Sequence, residues 1–194
     1  GASDRAQALL DVAGDPVDVL AARDRDRALV VDAQRAGDGG VFRQPTILKR
    51  LDGEEPKGER VISEKVSQEM RRLMRLVAAE GTGRKADVDA YPVGGKTGTA
   101  EKAAGRRGYN RNARLASFIA AFPIQNPKYV LLVMVDEPKP RKDTYGYATG
   151  GWVAAPAVKR IVERSAPLLG LAPLPADSKQ WFGPVLRDTS PSAG

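Results

Sequence analysis

The sequence predicts a mixed α and β domain built on an antiparallel sheet. Three observations carry that reading. An amphipathic repeat follows Ser63, two apolar runs are joined by the turn "PIQNPK", and stacked apolar rows begin at Trp152.

The first is a helix over 64–80. Ser63 is suited to cap it, because its hydroxyl can accept from a free N–H of the first turn. Val66, Met70, Leu73 and Val77 then recur at spacings of four, three and four. That is the apolar stripe of an amphipathic helix, and the pattern assigns it to the core. Lys65, Glu69, Arg71, Arg72 and Arg75 fall on other faces, and Gly81 is a natural stop.

The second is a hairpin of Leu115 to Phe122 and Tyr129 to Val135. Two prolines and Asn126 in the connection mark the turn. The second strand is apolar throughout, so it is predicted to be central and covered on both faces. The third is a closing helix from about Trp152 to Leu168. Val153, Ala157 and Ile161 form one row, and Val158, Val162 and Ser165 another. Pro156 is placed near its start, where a missing N–H costs little.

The remaining stretches are less regular. Residues 1–38 are rich in Asp and Arg, with weak helical periodicity over 17–36. Gly39-Gly40 then breaks the chain. Val41, Phe42, Ile47 and Leu48 read as short extended pieces around Pro45, and "DGEEPKGERVI" as a polar turn leading to another. "DEPKPRKDTYGYATGG" is a Pro- and Gly-rich loop. Residues 170–194 read as a proline-rich, extended tail, either docked through Trp181 and Phe182 or a loose terminus.

Composition narrows the chemistry. A chain of 194 residues, 42% hydrophobic and 28% charged, reads as soluble and globular, one domain or part of one. No apolar run approaches the roughly 18–20 residues of a membrane span. The chain begins at Gly1 without a charged-then-apolar leader, so it is expected to be a processed form or a fragment. It has no cysteine and no histidine. Cys nucleophiles, Cys or His zinc sites and Ser-His-Asp triads are therefore excluded. An acyl-transfer enzyme of this composition needs a Ser or Thr nucleophile and a Lys, Asp, Glu or Tyr base. The net charge of +7 gathers at Arg84, Lys85, Lys96, Lys102, Arg106, Arg107, Arg111 and Arg114. Such a patch fits a solvated loop, nucleic acid, an acidic substrate or an anionic polymer.

The most informative stretch is Val93 to Ala100, "VGGKTGTA". A phosphate-binding loop would need a glycine where Ala90 stands and a helix opening at Lys96. Pro92 removes an N–H from the would-be cradle, and Gly98 and Thr99 are poor helix openers. An edge strand beside a catalytic cleft accounts for the residues better. Lys96, Gly98 and Ala100 would point one way and Thr97 and Thr99 the other, with a bulge at the glycines able to re-aim them. Gly98 would let an acyl substrate lie close. A main-chain N–H near Thr99 could face a carbonyl oxygen. Thr97 and Thr99 offer hydroxyls to a carboxylate, and Lys96 adds positive charge.

From Gly39 to about Leu169 the chain resembles the C-terminal half of a class B penicillin-binding protein transpeptidase domain, of the septal cell-division type. The matching stretches are "GGVFRQPTILKRL", "RVISEKVSQEMRRLMRLVAAEGTGRKA", "YPVGGKTGTAEK", "SFIAAFPIQNPKYVLLVMVDEP" and "TYGYATGGWVAAPAVKRIV". The resemblance implies a three-layer αβα fold of the penicillin-binding and β-lactamase-like kind, here incomplete. It implies peptidoglycan D,D-transpeptidation by serine acyl transfer on stem peptides, with β-lactams acylating the same serine. No cofactor, metal or nucleic acid is implied. Division-complex proteins are the implied partners. The implied parent is anchored upstream in the inner membrane and works at its periplasmic face. The family's third motif transfers to Lys96, Thr97, Gly98 and Thr99. Lys96 serves the electrostatics and proton traffic, Thr97 and Thr99 hold the substrate or drug carboxylate, and the Thr99 N–H completes the oxyanion hole.

Two family motifs are missing. No serine here has Lys three positions later or Asn two positions later, so neither Ser-x-x-Lys nor Ser-x-Asn is present. The chain alone is therefore expected to be inactive. A non-catalytic module that binds peptidoglycan or a division partner is the alternative reading. Residues 1–38 also depart from the family, as a gene read in a shifted frame or a divergent fusion would. A missing upstream half would leave apolar surface exposed, with self-association or low stability as the expected result.

Overall fold

The computed structural model describes residues 39–43, 57–103 and 109–175. Residues 1–38, the extended pieces at Ile47 and Leu48 and the docking of Trp181 and Phe182 lie outside the described residues.

Strand β1 (Val41–Phe42) pairs antiparallel with β2 (Glu59–Arg60) in a small two-stranded ribbon. Helix α1 (Glu64–Ala79) follows, its first turn capped where the Val66 N–H donates to Ser63 Oγ at 3.3 Å. A short 3₁₀ turn, Arg84–Ala86, leads to β3 (Gly94–Ala103). Next come β4 (Tyr109–Phe122) and β5 (Tyr129–Asp136). A second 3₁₀ turn, Lys142–Thr144, precedes helix α2 (Gly150–Leu168). The three long strands form an antiparallel sheet in the order β3-β4-β5.

Strand alternation divides the sheet between two cores. On one face Phe118, Ala120, Phe122, Leu131 and Val133 pack with Ala154, Val158 and Val162 of α2. On the other, Ile119, Ala121, Val130 and Leu132 pack with Met74 of α1 and Ile124. The sheet is thus the middle of an α-β-α sandwich, because β4 and β5 are apolar toward both helices.

Three expectations are corrected. The central strand is β4, not β5: among the described residues β5 pairs with β4 alone. Its uninterrupted apolar sequence reflects cover on both faces, not position in the sheet. Second, α1 turns a different side inward. Ser67, Met74 and Ala78 are buried, whereas Val66, Met70 and Leu73 are 48%, 42% and 52% exposed. The small side chains at 67 and 78 let the helix approach the sheet closely. Arg71 and Arg75, beside them, reach Gln125 O at 3.0 Å and Val93 O at 3.0 Å. Arg75 also grips Asp87, through Nη2 to Oδ2 at 3.0 Å. Anchoring by two arginines decides the rotation against the larger apolar stripe. Third, α2 begins two residues before Trp152, so Pro156 lies inside it and not in its first turn. Of its two rows, Val158, Val162 and Ser165 form the buried one.

Candidate active site

The Lys-Thr-Gly segment lies in β3, in regular register with β4 from Gly94↔Ala121 through Glu101↔Arg114. No helix opens at Lys96, which removes the phosphate-loop reading. The register shift comes between Glu101 and Lys102, beyond the glycines, so the motif itself stays regular. Among the described residues β3 is paired on one side only, and its other rail is open.

Pairing fixes which way each side chain faces. Gly98 sits opposite Ser117 and Lys96 opposite Ile119, on the α1 face. Thr97 sits opposite Phe118 and Thr99 opposite Ala116, on the α2 face. The four motif residues are therefore contiguous, but their side chains divide across the sheet.

Each has defined surroundings. Lys96 is exposed, and its Nζ donates to Thr97 O at 2.9 Å. Thr97 Oγ1 lies 3.1 Å from Thr82 Oγ1. Thr99 Oγ1 accepts from the Gly150 N–H, the first residue of α2, at 3.3 Å. A Cβ on Gly98 would stand 2.5 Å from Ser117 Oγ. A Cβ on Gly150 would drive into the carbonyl oxygens of Ser117 and Gly98. Glycine at 150 thus lets the end of α2 come down onto the motif.

The electrostatics favour an anion. The N-terminus of α2 carries the positive end of its dipole and meets the strand at Thr99. The Lys96 ammonium stands on the opposite face. At the far end of β3, Lys102 Nζ pairs with Asp136 at 2.7 Å and Glu137 at 3.0 Å. The hydrogen bonds that Lys102 donates to those carboxylates, Asp136 first, hold its pKa above the ordinary lysine value. Part of the positive charge read from the sequence is therefore neutralised locally. Among the described residues no cluster of His, Cys, Asp or Glu could hold a metal, and no helix is long and apolar enough to cross a membrane.

Thr82 and Gly150 escaped the sequence reading. Both belong to glycine-containing stretches, "GTGRKA" and "TGGW", whose linear pattern says turn and helix start. Only the fold brings them onto β3.

The chain is similar to known proteins in sequence and in fold. The penicillin binding protein transpeptidase domain family matches residues 32–163. The chain is 48% identical over 143 residues to the probable peptidoglycan D,D-transpeptidase FtsI of Caulobacter vibrioides, covering 69% of this chain and 24% of that protein. It is 42% identical over 130 residues to stage V sporulation protein D of Bacillus subtilis, covering 66% of this chain and 19% of that one. Among solved structures, the TP domain of Burkholderia pseudomallei penicillin-binding protein 3 superposes with a TM-score of 0.65 at 36% identity. That match covers 75% of this chain and 43% of the other. Mycobacterium tuberculosis penicillin-binding protein 3, solved with aztreonam, gives 0.63 at 26%, covering 76% and 36%. The chain thus spans about a quarter or less of these curated relatives. With the β3-β4-β5 sheet held between α1 and α2, and Lys96 to Thr99 on its outer strand, the chain belongs to the penicillin binding protein transpeptidase domain family.

Proposed function

We propose that these residues are the third-motif part of a peptidoglycan D,D-transpeptidase that cross-links stem peptides in cell-wall synthesis and division. The observation that carries this is an edge strand with an ammonium on one face and two hydroxyls on the other, met by a helix N-terminus. A serine borne elsewhere in the parent attacks the carbonyl of the D-alanyl-D-alanine bond. The acyl–oxygen bond forms, D-alanine leaves with a proton, and the amine of a neighbouring strand then takes the acyl group. Gly98 lets the acyl chain lie along β3, and the Thr99 N–H serves the oxyanion. Thr97 and Thr99 bind the terminal carboxylate, Lys96 serves the electrostatics and proton traffic, and β-lactams occupy the same place. The parent is anchored in the inner membrane, acts at its periplasmic face and works with division-complex proteins.

Fluorescent penicillin tests this. The 194-residue chain should form no covalent adduct, since it holds no Ser-x-x-Lys. In a parent bearing that motif, Lys96→Ala should slow acylation by about 10²–10³-fold, the scale of a lost transition-state donor. Near-normal acylation of that variant would remove the assignment. The missing nucleophile also favours a second reading, a non-catalytic module on the cell wall. Salt-resistant retention of this chain on purified sacculi, with a parent that never acylates, would establish it instead.

A further inference from the structure

The loop entering α2 and the first turn of that helix build an aromatic cluster that acyl transfer at β3 does not use. Tyr147 stacks on Trp152 with ring centroids 5.3 Å apart and planes 15° from parallel. Tyr145 meets the same indole edge-on, at 5.8 Å and 74°. Lys85, from the first 3₁₀ turn, places Nζ 4.3 Å from the centre of the Trp152 ring. Tyr145 is 80% exposed and Tyr147 55%.

A ring this exposed is not held for packing. Tyr145 adopts a left-handed backbone with φ 51, costly for a bulky side chain, and Gly146 follows at φ 79. Arg84, Lys142 and Asp143, close in sequence to Lys85 and Tyr145, are exposed. Among the described residues the large exposed aliphatic side chains are Val61, Val66, Met70 and Leu73, on α1 and the segment before it across the sheet, and Leu168, at the far end of α2 about 24 Å of helix rise from Trp152. The aromatic faces here stand beside the Lys85 ammonium and carry their own phenol hydroxyls.

That combination fits a pyranose ring. Its axial C–H bonds lie against a π face, while its hydroxyl and acetamido rim meets phenol and ammonium donors. The cluster is also tied to the candidate site at two points. Lys85 follows by three residues Thr82, the partner of Thr97. Trp152 lies two residues, about 3 Å of helix rise, beyond Gly150, which bonds Thr99. A four-residue stem peptide extends about 13–14 Å, a span that could join a sugar here to a peptide end at β3.

We propose that Tyr145, Tyr147, Trp152 and Lys85 form a glycan subsite for an N-acetylated amino-sugar of the strand that bears the stem peptide. The proposal rests on the transpeptidase reading and deepens it.

The test uses the full chain with Trp181→Phe, which leaves Trp152 as the sole indole. Titration with the trimer of N-acetylglucosamine should change Trp152 fluorescence saturably. Tyr147→Ala should weaken binding about tenfold, a loss of about 1.4 kcal/mol. Tyr145→Ala should weaken it too, and its exposed ring leaves the fold intact if the other variant fails. Maltotriose, which lacks acetamido groups, should bind more weakly. No fluorescence response, binding by both variants as tight as with the tyrosines intact, or equal binding of maltotriose overturns the subsite. So does concentration-dependent self-association that Tyr145→Ala abolishes. Penicillin carries no sugar, so Tyr145→Ala in a nucleophile-bearing parent should acylate normally. A parent that never acylates sinks the transpeptidase reading, whereas normal acylation without trimer binding sinks the subsite alone.

Discussion

Thr82 and Thr97 place their hydroxyl oxygens 3.1 Å apart, joining the turn after α1 to the Lys-Thr-Gly strand. Thr97 therefore does not rotate freely, and Thr82 is a positioning residue for it. In a nucleophile-bearing parent, Thr82→Val should lower the second-order rate of penicillin acylation about fivefold. That corresponds to about 1 kcal/mol, the usual worth of one neutral hydrogen bond. Thr82→Ser should restore most of it. Equal rates in all three proteins would show that the contact has no part in acylation.

Gly98 and Gly150 should respond differently to alanine. The Cβ of Gly150→Ala meets two backbone oxygens that cannot step aside. A loss of about 1–3 kcal/mol is expected in urea unfolding, as for other overpacked sites. In Gly98→Ala the obstacle is the Ser117 hydroxyl, which Ser117→Ala removes. The double variant should recover the stability that the single one loses.

The orientation of α1 is checked by neighbouring truncations. Met74 is 9% exposed and Leu73 52%. Met74→Ala should cost about 2–5 kcal/mol as a core deletion, and Leu73→Ala no more than about 0.5 kcal/mol. The reverse order in chemical denaturation would put the stripe of Val66, Met70 and Leu73 back in the core.

Arg75 bridges α1 to Asp87 and to Val93 O, with its side chain only 14% exposed. Arg75→Met leaves a half-buried carboxylate without this partner, so the expected loss is about 2 kcal/mol, in the range for hydrogen bonds to charged groups. Arg75→Lys should recover only part, because a point charge cannot fork to both oxygens.

Lys102 predicts a pH and salt dependence. Asp136 and Glu137 raise its pKa above the ordinary value of 10.5. A raised folded-state pKa makes the contribution complete below the unfolded-state value. It is lost as pH climbs through the folded one, on the alkaline side of 10.5. Its side chain is 38% exposed, so salt should screen the pairing. Lys102→Met should shift the urea midpoint modestly at low salt and neutral pH, and less at high salt or above the folded-state pKa. A shift independent of both would mean packing, not charge, at the bulge.

Much of this molecule could be read from local pattern. The Ser63 cap, the α1 span, the β4-β5 hairpin and the extended Lys-Thr-Gly segment all follow from spacing, turn chemistry and glycine placement. Local pattern does not encode which neighbour a strand chooses or which side of a helix turns inward. Those choices depend on contacts between residues far apart in the chain. Arg71 and Arg75 rotate α1 by reaching carbonyls of Gln125 and Val93. Val130 to Val135 reads as a buried strand wherever two helices cover it, so its place beside β4 had to come from pairing. Sequence alone determined that an ammonium, two hydroxyls and a glycine share one strand. Tertiary structure decided what meets them, because Thr82, Ser117 and Gly150 reach that strand only when the chain closes around it.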